Sequence, residues 1–172
     1  HTLVDSARGD HQTLNTATTG ASSDASHVAQ VLISNGFWIG NWSAINADTA
    51  NYASWTFRQA DKFFHVSSNV KAAGVDKTVD LSALGTVGMI AVKRTDSTGN
   101  WYVWHRSCTA GKLLYLNLTD AEATLGHITV SGTTLTLEDG VIADGTYIVY
   151  AWTHDDSATG LIQCGVYTGN GS

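Results

Sequence analysis

Short apolar runs recur about every ten residues along the chain, separated by polar clusters rich in Gly, Asp, Asn, Ser and Thr. "GMIAVK" at 88–93 is a continuous apolar run, and "RTDSTGN" after it has the residues of a hairpin loop. "WYVWHR" at 101–106 then alternates. Trp101, Val103 and His105 share one face of the predicted strand, and Tyr102, Trp104 and Arg106 share the other. "KLLYLNL" at 112–118, "HITV" at 127–130, "TLTLE" at 134–138, "TYIVYAWTH" at 146–154 and "LIQCGVY" at 161–167 continue the series. Ser131-Gly132, Asp139-Gly140 and Asp144-Gly145 mark turns between them.

The first half is looser. "VAQVLI" and "GFWIG" flank Asn35-Gly36, while "NYASWTFR" at 51–58 and "FFHVSS" at 63–68 read as strands. Residues 16–27 read as a polar loop, and about one turn of helix is possible around Asp120 to Ala123. No long stretch has a period of 3.6. The pattern predicts an all-β fold, a β-sandwich built from two related antiparallel β units.

The two units announce themselves as echoes. "TLNTAT" at 13–18 resembles "YLNLTD" at 115–120, "INADTANYASWTF" at 45–57 resembles "VIADGTYIVYAWT" at 141–153, and "FFHVSSN" at 63–69 resembles "QCGVYTGN" at 163–170. The order is the same in both halves, at a spacing of roughly one hundred residues. We divide the chain into a first β unit at 1–66, an incomplete copy, and a second at 67–172. Trp55 and Trp152 fall in one echoed strand, which predicts a shared, largely buried packing role.

Composition narrows the function classes. The chain has 172 residues, 43% of them hydrophobic and 14% charged, with 17 glycines and no proline. That is too apolar for a disordered chain. A net charge of -6 argues against nucleic acid as partner, because phosphate contacts need a basic face. No apolar stretch is long enough to insert in a membrane, and no signal peptide opens the sequence. A first residue His1 rather than Met reads as an excerpt or a processed product.

Candidate chemistry is sparse. The seven histidines (His1, His11, His27, His65, His105, His127 and His154) are scattered, with no spacing that presets two on one face as metal ligands. His154-Asp155-Asp156 is the one His/carboxylate cluster and offers at most a weak cation site. Two cysteines, Cys108 and Cys164, form no disulfide framework, and a bridge between them needs a proximity that sequence does not show. His105 lies three residues before Cys108, on the opposite face of a strand, which disfavours a Cys–His dyad. There is no GxSxG elbow and no phosphate-binding glycine loop. The two glutamates, Glu122 and Glu138, sit in no suggestive context for glycoside hydrolysis. Asn41-Trp42-Ser43 and Asn117-Leu118-Thr119 are sequons, meaningful only in a eukaryotic secretory setting. No cofactor or metal is expected.

Six tryptophans remain. Trp101 and Trp104 lie on opposite faces, so one of them at most reaches the core of a one-sided sheet. Trp38 and Trp42, in "GFWIGNW", are the best candidates for exposure. With Tyr102 they are the expected interface or glycan contacts, because aromatics dominate contact surfaces.

"HTLVDSARG", "NADTANYASWTFRQADKFFHV", "GTVGMIAVKRTDSTGNWYVWHRS", "YLNLTDAEAT" and "YIVYAWTHDDSATGLIQCGVYTGNGS" together resemble a module of large virion proteins of tailed bacteriophages, especially marine ones. That module is a domain of unknown function, often in tandem and beside lectin-like sandwich modules. The resemblance covers essentially the whole chain. It departs at Asp61, where the family commonly has proline, and at Cys108, where it often has leucine. The family carries no established catalytic residues, so none transfers. The resemblance implies a non-catalytic structural or adhesive module of a virion tail, tail fibre or surface appendage. Its partners would be copies of itself or other virion proteins. The alternative is a carbohydrate-binding module for host-surface glycans and, further off, a tailspike-type glycan hydrolase. Strands without edge protection further predict large contacts with more of the same polypeptide or with other copies.

Overall fold

A strand buried on both faces needs apolar residues at every position, and the two longest apolar runs of the chain sit at the centre of its main sheet. The computed structural model describes residues 2–25, 31–124 and 126–171. His1, His27 and the start of the predicted "VAQVLI" strand lie outside the described residues. The first half holds β1 (Thr2–Leu3), β2 (Gln12–Asn15), β3 (Ser23–Asp24), β4 (Val31–Ile33), β5 (Gly36–Trp38) and one short helix, α1 (Ser43–Asn46). Then come β6 (Phe64–Lys71), β7 (Lys77–Asp80), β8 (Val87–Arg94), β9 (Trp101–His105) and β10 (Lys112–Tyr115). β11 (Ala123–Thr124), β12 (Ile128–Ser131), β13 (Thr134–Leu137) and β14 (Gly145–Thr153) complete the series. The fold is all-β and sandwich-like, with antiparallel pairing throughout the described strands.

The main sheet has the order β11-β10-β9-β8-β14-β6. On one face Ile90, Val92, Tyr147, Val149 and Leu113 pack against Val79, Leu135, Leu137 and Ile128, carried by or beside the sheet β12-β13-β7. On the other face Ala91, Trp101, Val103, Ile148 and Tyr150 pack against Leu14 and Leu3, from the sheet β1-β2-β3. The main sheet is therefore the middle of three layers. This overturns the one-sided expectation for "WYVWHR": Trp101 is 1% exposed on the second face, and Trp104 packs half-buried on the first. The β8–β9 hairpin forms as the pattern predicts, with Met89 opposite His105 and Lys93 opposite Trp101.

The echoes have a structural counterpart. In β1–β2–β3, Leu3 pairs with Leu14 and Gln12 with Asp24. In β9–β10–β11, Val103 pairs with Leu114 and Lys112 with Thr124, the same register moved by 100 residues. The β4–β5 hairpin closes at Ile33 and Gly36, and β12–β13 closes at Ser131 and Thr134, the same register moved by 98. Leu14 thus corresponds to Leu114 rather than to Leu116, two residues from the alignment that the "LN" letters suggest.

Two predicted strands fail to form for one reason, the lack of a pairing partner. Residues 51–58 and 161–167 form no strand; most of their side chains are exposed. Trp55 is 85% exposed, while Trp152 is half-buried against Phe57 and Phe64, so the two do not share a buried role. The segment from Asp120 to Ala123 is not helical; Ala123 opens β11 and pairs with Leu113. Residue 66 lies inside β6, which pairs with β14 along its whole length.

The turn before β2 has a non-glycine residue in the left-handed region, His11 at φ 66°, where the corresponding turn before β10 has Gly111 at φ 75°. An L side chain there costs about 1 kcal/mol. His11 Nδ1 is also buried without a hydrogen-bond partner. His11→Gly should therefore raise unfolding free energy by about 0.5–1 kcal/mol, read from denaturant midpoints at constant slope.

Candidate functional site

The aromatic residues singled out by the sequence separate in space by environment. β5 carries Trp38 outward, 68% exposed, beside Phe37 at 40%. Trp42 stands at the N-terminus of α1, where its carbonyl accepts from the Ile45 and Asn46 amides. Asn46 donates to the Gly40 carbonyl at 2.8 Å, and the Tyr52 hydroxyl donates to the Ser43 carbonyl at 3.2 Å. The loop thus satisfies its own backbone and leaves its large rings facing water. Tyr102 is different. It stacks on His127 with ring centres 4.8 Å apart, tilts against Tyr115 at 5.8 Å and packs on the first core. Burial raises its phenol pKa. Tyr102 belongs to a wall; Trp38 and Trp42 belong to the surface.

That surface continues through Ile39, Tyr52, Trp55 and Phe57, each at least 40% exposed. A monomer rarely leaves so many large apolar side chains open in one stretch of chain. Trp42 also lines a pocket of about 210 Å³ with Thr2, Thr13, Asn15, Thr18 and Ser23.

Several groups that could do chemistry are engaged in local hydrogen bonds. Among the described residues no three His, Cys, Asp or Glu side chains converge to hold a metal ion. At His154, Nδ1 accepts from the Cys164 amide at 3.0 Å, and the Arg106 guanidinium lies 2.7 Å from Nε2. A guanidinium at that position repels a cation. Asp155 accepts from the Ser157 amide at 2.9 Å, and the Ser157 hydroxyl, with that amide, holds its carboxyl below the usual range. Cys108 and Cys164 are both free thiols, and burial pushes each upward in pKa. His105 contacts Cys108 only through the backbone, its carbonyl accepting the Cys108 amide. Glu122 accepts from the Thr109 amide, and Thr109 holds it below the usual carboxylate range, the opposite of what a general acid needs.

Two buried lysines escaped the sequence reading. Lys71 is 1% exposed and donates to Asp139 at 2.7 Å, Asp144 at 3.0 Å and the Ala72 carbonyl. The Asp139 bond raises the lysine and depresses the carboxylate, a pinned ion pair that anchors the end of β6 to the turns before β14. The signal was present: Asp139-Gly140 and Asp144-Gly145 bracket one loop.

Lys93, in β8, is wholly buried and donates to the Arg94 carbonyl. Burial, with Arg94 nearby, lowers its pKa from 10.5 to about 8. Such a shift is a mark of catalytic lysines, but neither the pocket along Asp139–Asp144 nor the one beside Trp42 includes it. Its effect falls on stability. The folded-state value lies below the unfolded one, so the buried charge is a cost below pH about 8, relieved between about 8 and 10.5. Lys93→Met should therefore be more stable than the parent at neutral pH. The gap should narrow as denaturation is measured at rising pH through that window.

No helix among the described residues is long and apolar enough to cross a membrane. One family model matches the chain over residues 1–172. No curated protein and no solved structure matches it.

Proposed function

The chain belongs to the family described as Domain of unknown function (DUF7483), and on that premise we propose that it is a non-catalytic structural or adhesive module of a virion, built into a tail, tail fibre or surface appendage. The observation that carries the assembly role is the open aromatic stretch around Trp38 and Phe37, attached to a core that is otherwise well covered. The virion setting rests on the resemblance of its motifs to modules of tailed-bacteriophage virion proteins. Its partners are then copies of itself or other virion proteins, with no cofactor. Sedimentation velocity of the purified chain tests this. Concentration-dependent association that weakens in Trp38→Ser, with unchanged thermal stability, supports the reading; a monodisperse monomer at high concentration overturns it. Glycan cleavage by the chain that vanishes in Glu122→Ala, Glu138→Ala, Asp155→Ala or Asp156→Ala would overturn the non-catalytic part.

A second reading has its own observation. The pocket under Trp42 combines an aromatic face with hydroxyl and amide groups from Thr2, Thr13, Asn15, Thr18 and Ser23. Sugar rings are held by that combination of apolar stacking and convergent polar groups. Titration with host-surface polysaccharide should then quench tryptophan fluorescence in the parent and not in Trp42→Ala. Equal quenching in both would remove the glycan role from this pocket.

A further inference from the structure

The main sheet ends on one side in the two-residue β11 and on the other in the eight-residue β6. A long edge strand offers its outward amides and carbonyls to another strand unless a charge, a proline or a bulge protects it. In an antiparallel pair those groups alternate, so every second residue of β6 points away from β14. Two contacts fix which ones. The Phe63 carbonyl accepts the Thr153 amide at the end of β14, so odd-numbered residues face inward. Phe64 faces outward, where its amide and carbonyl both bond Ala60 in an isolated bridge. Val66, Ser68 and Val70 follow in the same direction. Among the described residues no backbone group bonds theirs on that side.

Nothing in this stretch protects it. Residues 66–70 read "VSSNV", without a charge, a proline or a glycine. Lys71, the next residue, is held inside by its ion pairs with Asp139 and Asp144. A net charge of -6 opposes self-association in general, but no like charges meet along this edge. The stretch is also self-complementary. About a twofold axis at Ser68, an antiparallel second copy sets Val66 opposite Val70, Ser67 opposite Asn69 and Ser68 opposite its own mate. Apolar meets apolar, and polar meets polar. Every outward amide and carbonyl of the three residues then finds a partner. Val70, 67% exposed, is covered by the flank of the second copy's Val66, which lies in the second core. A shift one way asks Phe64 for groups that Ala60 already holds, and a shift the other way runs past the end of β6. The edge thus admits one register.

We propose that β6 of one copy of this chain adds antiparallel to β6 of a second copy, centred on Ser68, so that their two main sheets become one. The contact is isologous, because both copies use the same strand, and it closes at a dimer. Backbone hydrogen bonds supply it, as in other strand additions. A contact of so few residue pairs is small and reversible. It goes beyond the assembly reading above, which rests on the aromatic stretch around Trp38 and uses other residues.

Residues directly opposite on antiparallel strands have Cα atoms about 4.5–5.5 Å apart, within reach of a disulfide. The test is Ser68→Cys in the full chain with Cys108→Ser and Cys164→Ser, oxidised mildly and run on a non-reducing gel. Ser68 is exposed, so folding should be undisturbed, and thermal melting checks this. The expected result is one covalent dimer band and no ladder, formed equally in a Trp38→Ser background. Val70→Cys is the register control. Its mate lies four strand positions away, about 13 Å, so it should link at least about tenfold more slowly. Ser68→Pro, which removes an outward amide, should weaken self-association about tenfold in sedimentation equilibrium. Val70→Lys should do the same by setting a charge against Val66 of the second copy, and it decides the matter if the proline variant fails to fold. Equal linking at the two positions, a ladder, or association unchanged in Val70→Lys would overturn the proposal. Absence of the dimer band overturns it too, even if the edge takes a strand of another protein, and leaves the aromatic contact to its own test.

Discussion

Replacing Trp101 with alanine should cost about 3–5 kcal/mol of unfolding free energy, measured by denaturant titration, the range for a large aromatic in a packed interior. The ring is 1% exposed and stacks on Tyr150 with centres 6.1 Å apart. Its indole N–H donates to the Asn15 carbonyl at 3.1 Å, at the end of β2. Truncation therefore opens a cavity between two sheets and removes the indole donor from the Asn15 carbonyl of the N-terminal layer. Trp55→Ala is the control: at 85% exposed it should change stability by less than about 0.5 kcal/mol. A small loss at Trp101 would mean that the first sheet does not pack on the second in solution.

Asp5→Ala should be comparably damaging, about 3–5 kcal/mol, because it leaves a buried cation unpaired. Asp5 and Arg8 bridge at 2.6 Å with side chains 6% and 4% exposed. Asp5 also accepts the Arg8 amide at 2.9 Å and the Tyr150 hydroxyl. One carboxylate thus closes the turn after β1 and ties it to the middle of β14. Tyr150→Phe removes a single donor and leaves the ion pair, so it should cost only about 1 kcal/mol. Measuring the two variants and their double mutant would expose the coupling. If Asp5→Ala were no worse than Tyr150→Phe, Arg8 would have found water, and the N-terminal layer would be looser than its burial shows.

Both predictions concern contacts between the two halves of the chain, and neither contact is legible in the sequence. Asp5 and Tyr150 stand 145 positions apart. Nothing in "HTLVDSARG" distinguishes Asp5 from a surface carboxylate. Of the surface aromatics, Trp38 and Trp42 are legible, because Gly and Asn flank their rings in "GFWIGNW" and no alternating pattern continues to either side. The same weighting puts Tyr102 on a contact surface, and it lies instead against His127. Its exposure depends on β12 and the residues before it, distant in sequence and folded back over β9.

Local physics is written into the letters. Alternation in "WYVWHR" assigns faces, continuity in "GMIAVK" and "TYIVYAWT" implies burial on both sides, and Gly132 supplies the left-handed turn residue of a tight hairpin, at φ 57°. These elements appear where the sequence puts them. Whether a strand-like segment becomes a strand is another matter, because its amides and carbonyls need a neighbour that alternation does not provide. "TYIVYAWT" finds β6 and β8 and becomes the centre of the sheet. "NYASWTFR", its echo, finds neither, and its backbone stays in water with Trp55 exposed. The sequence by itself determined which segments are able to be strands. Only the tertiary structure decided which of them are, since hydrogen-bond pairing belongs to two segments at once and to neither alone.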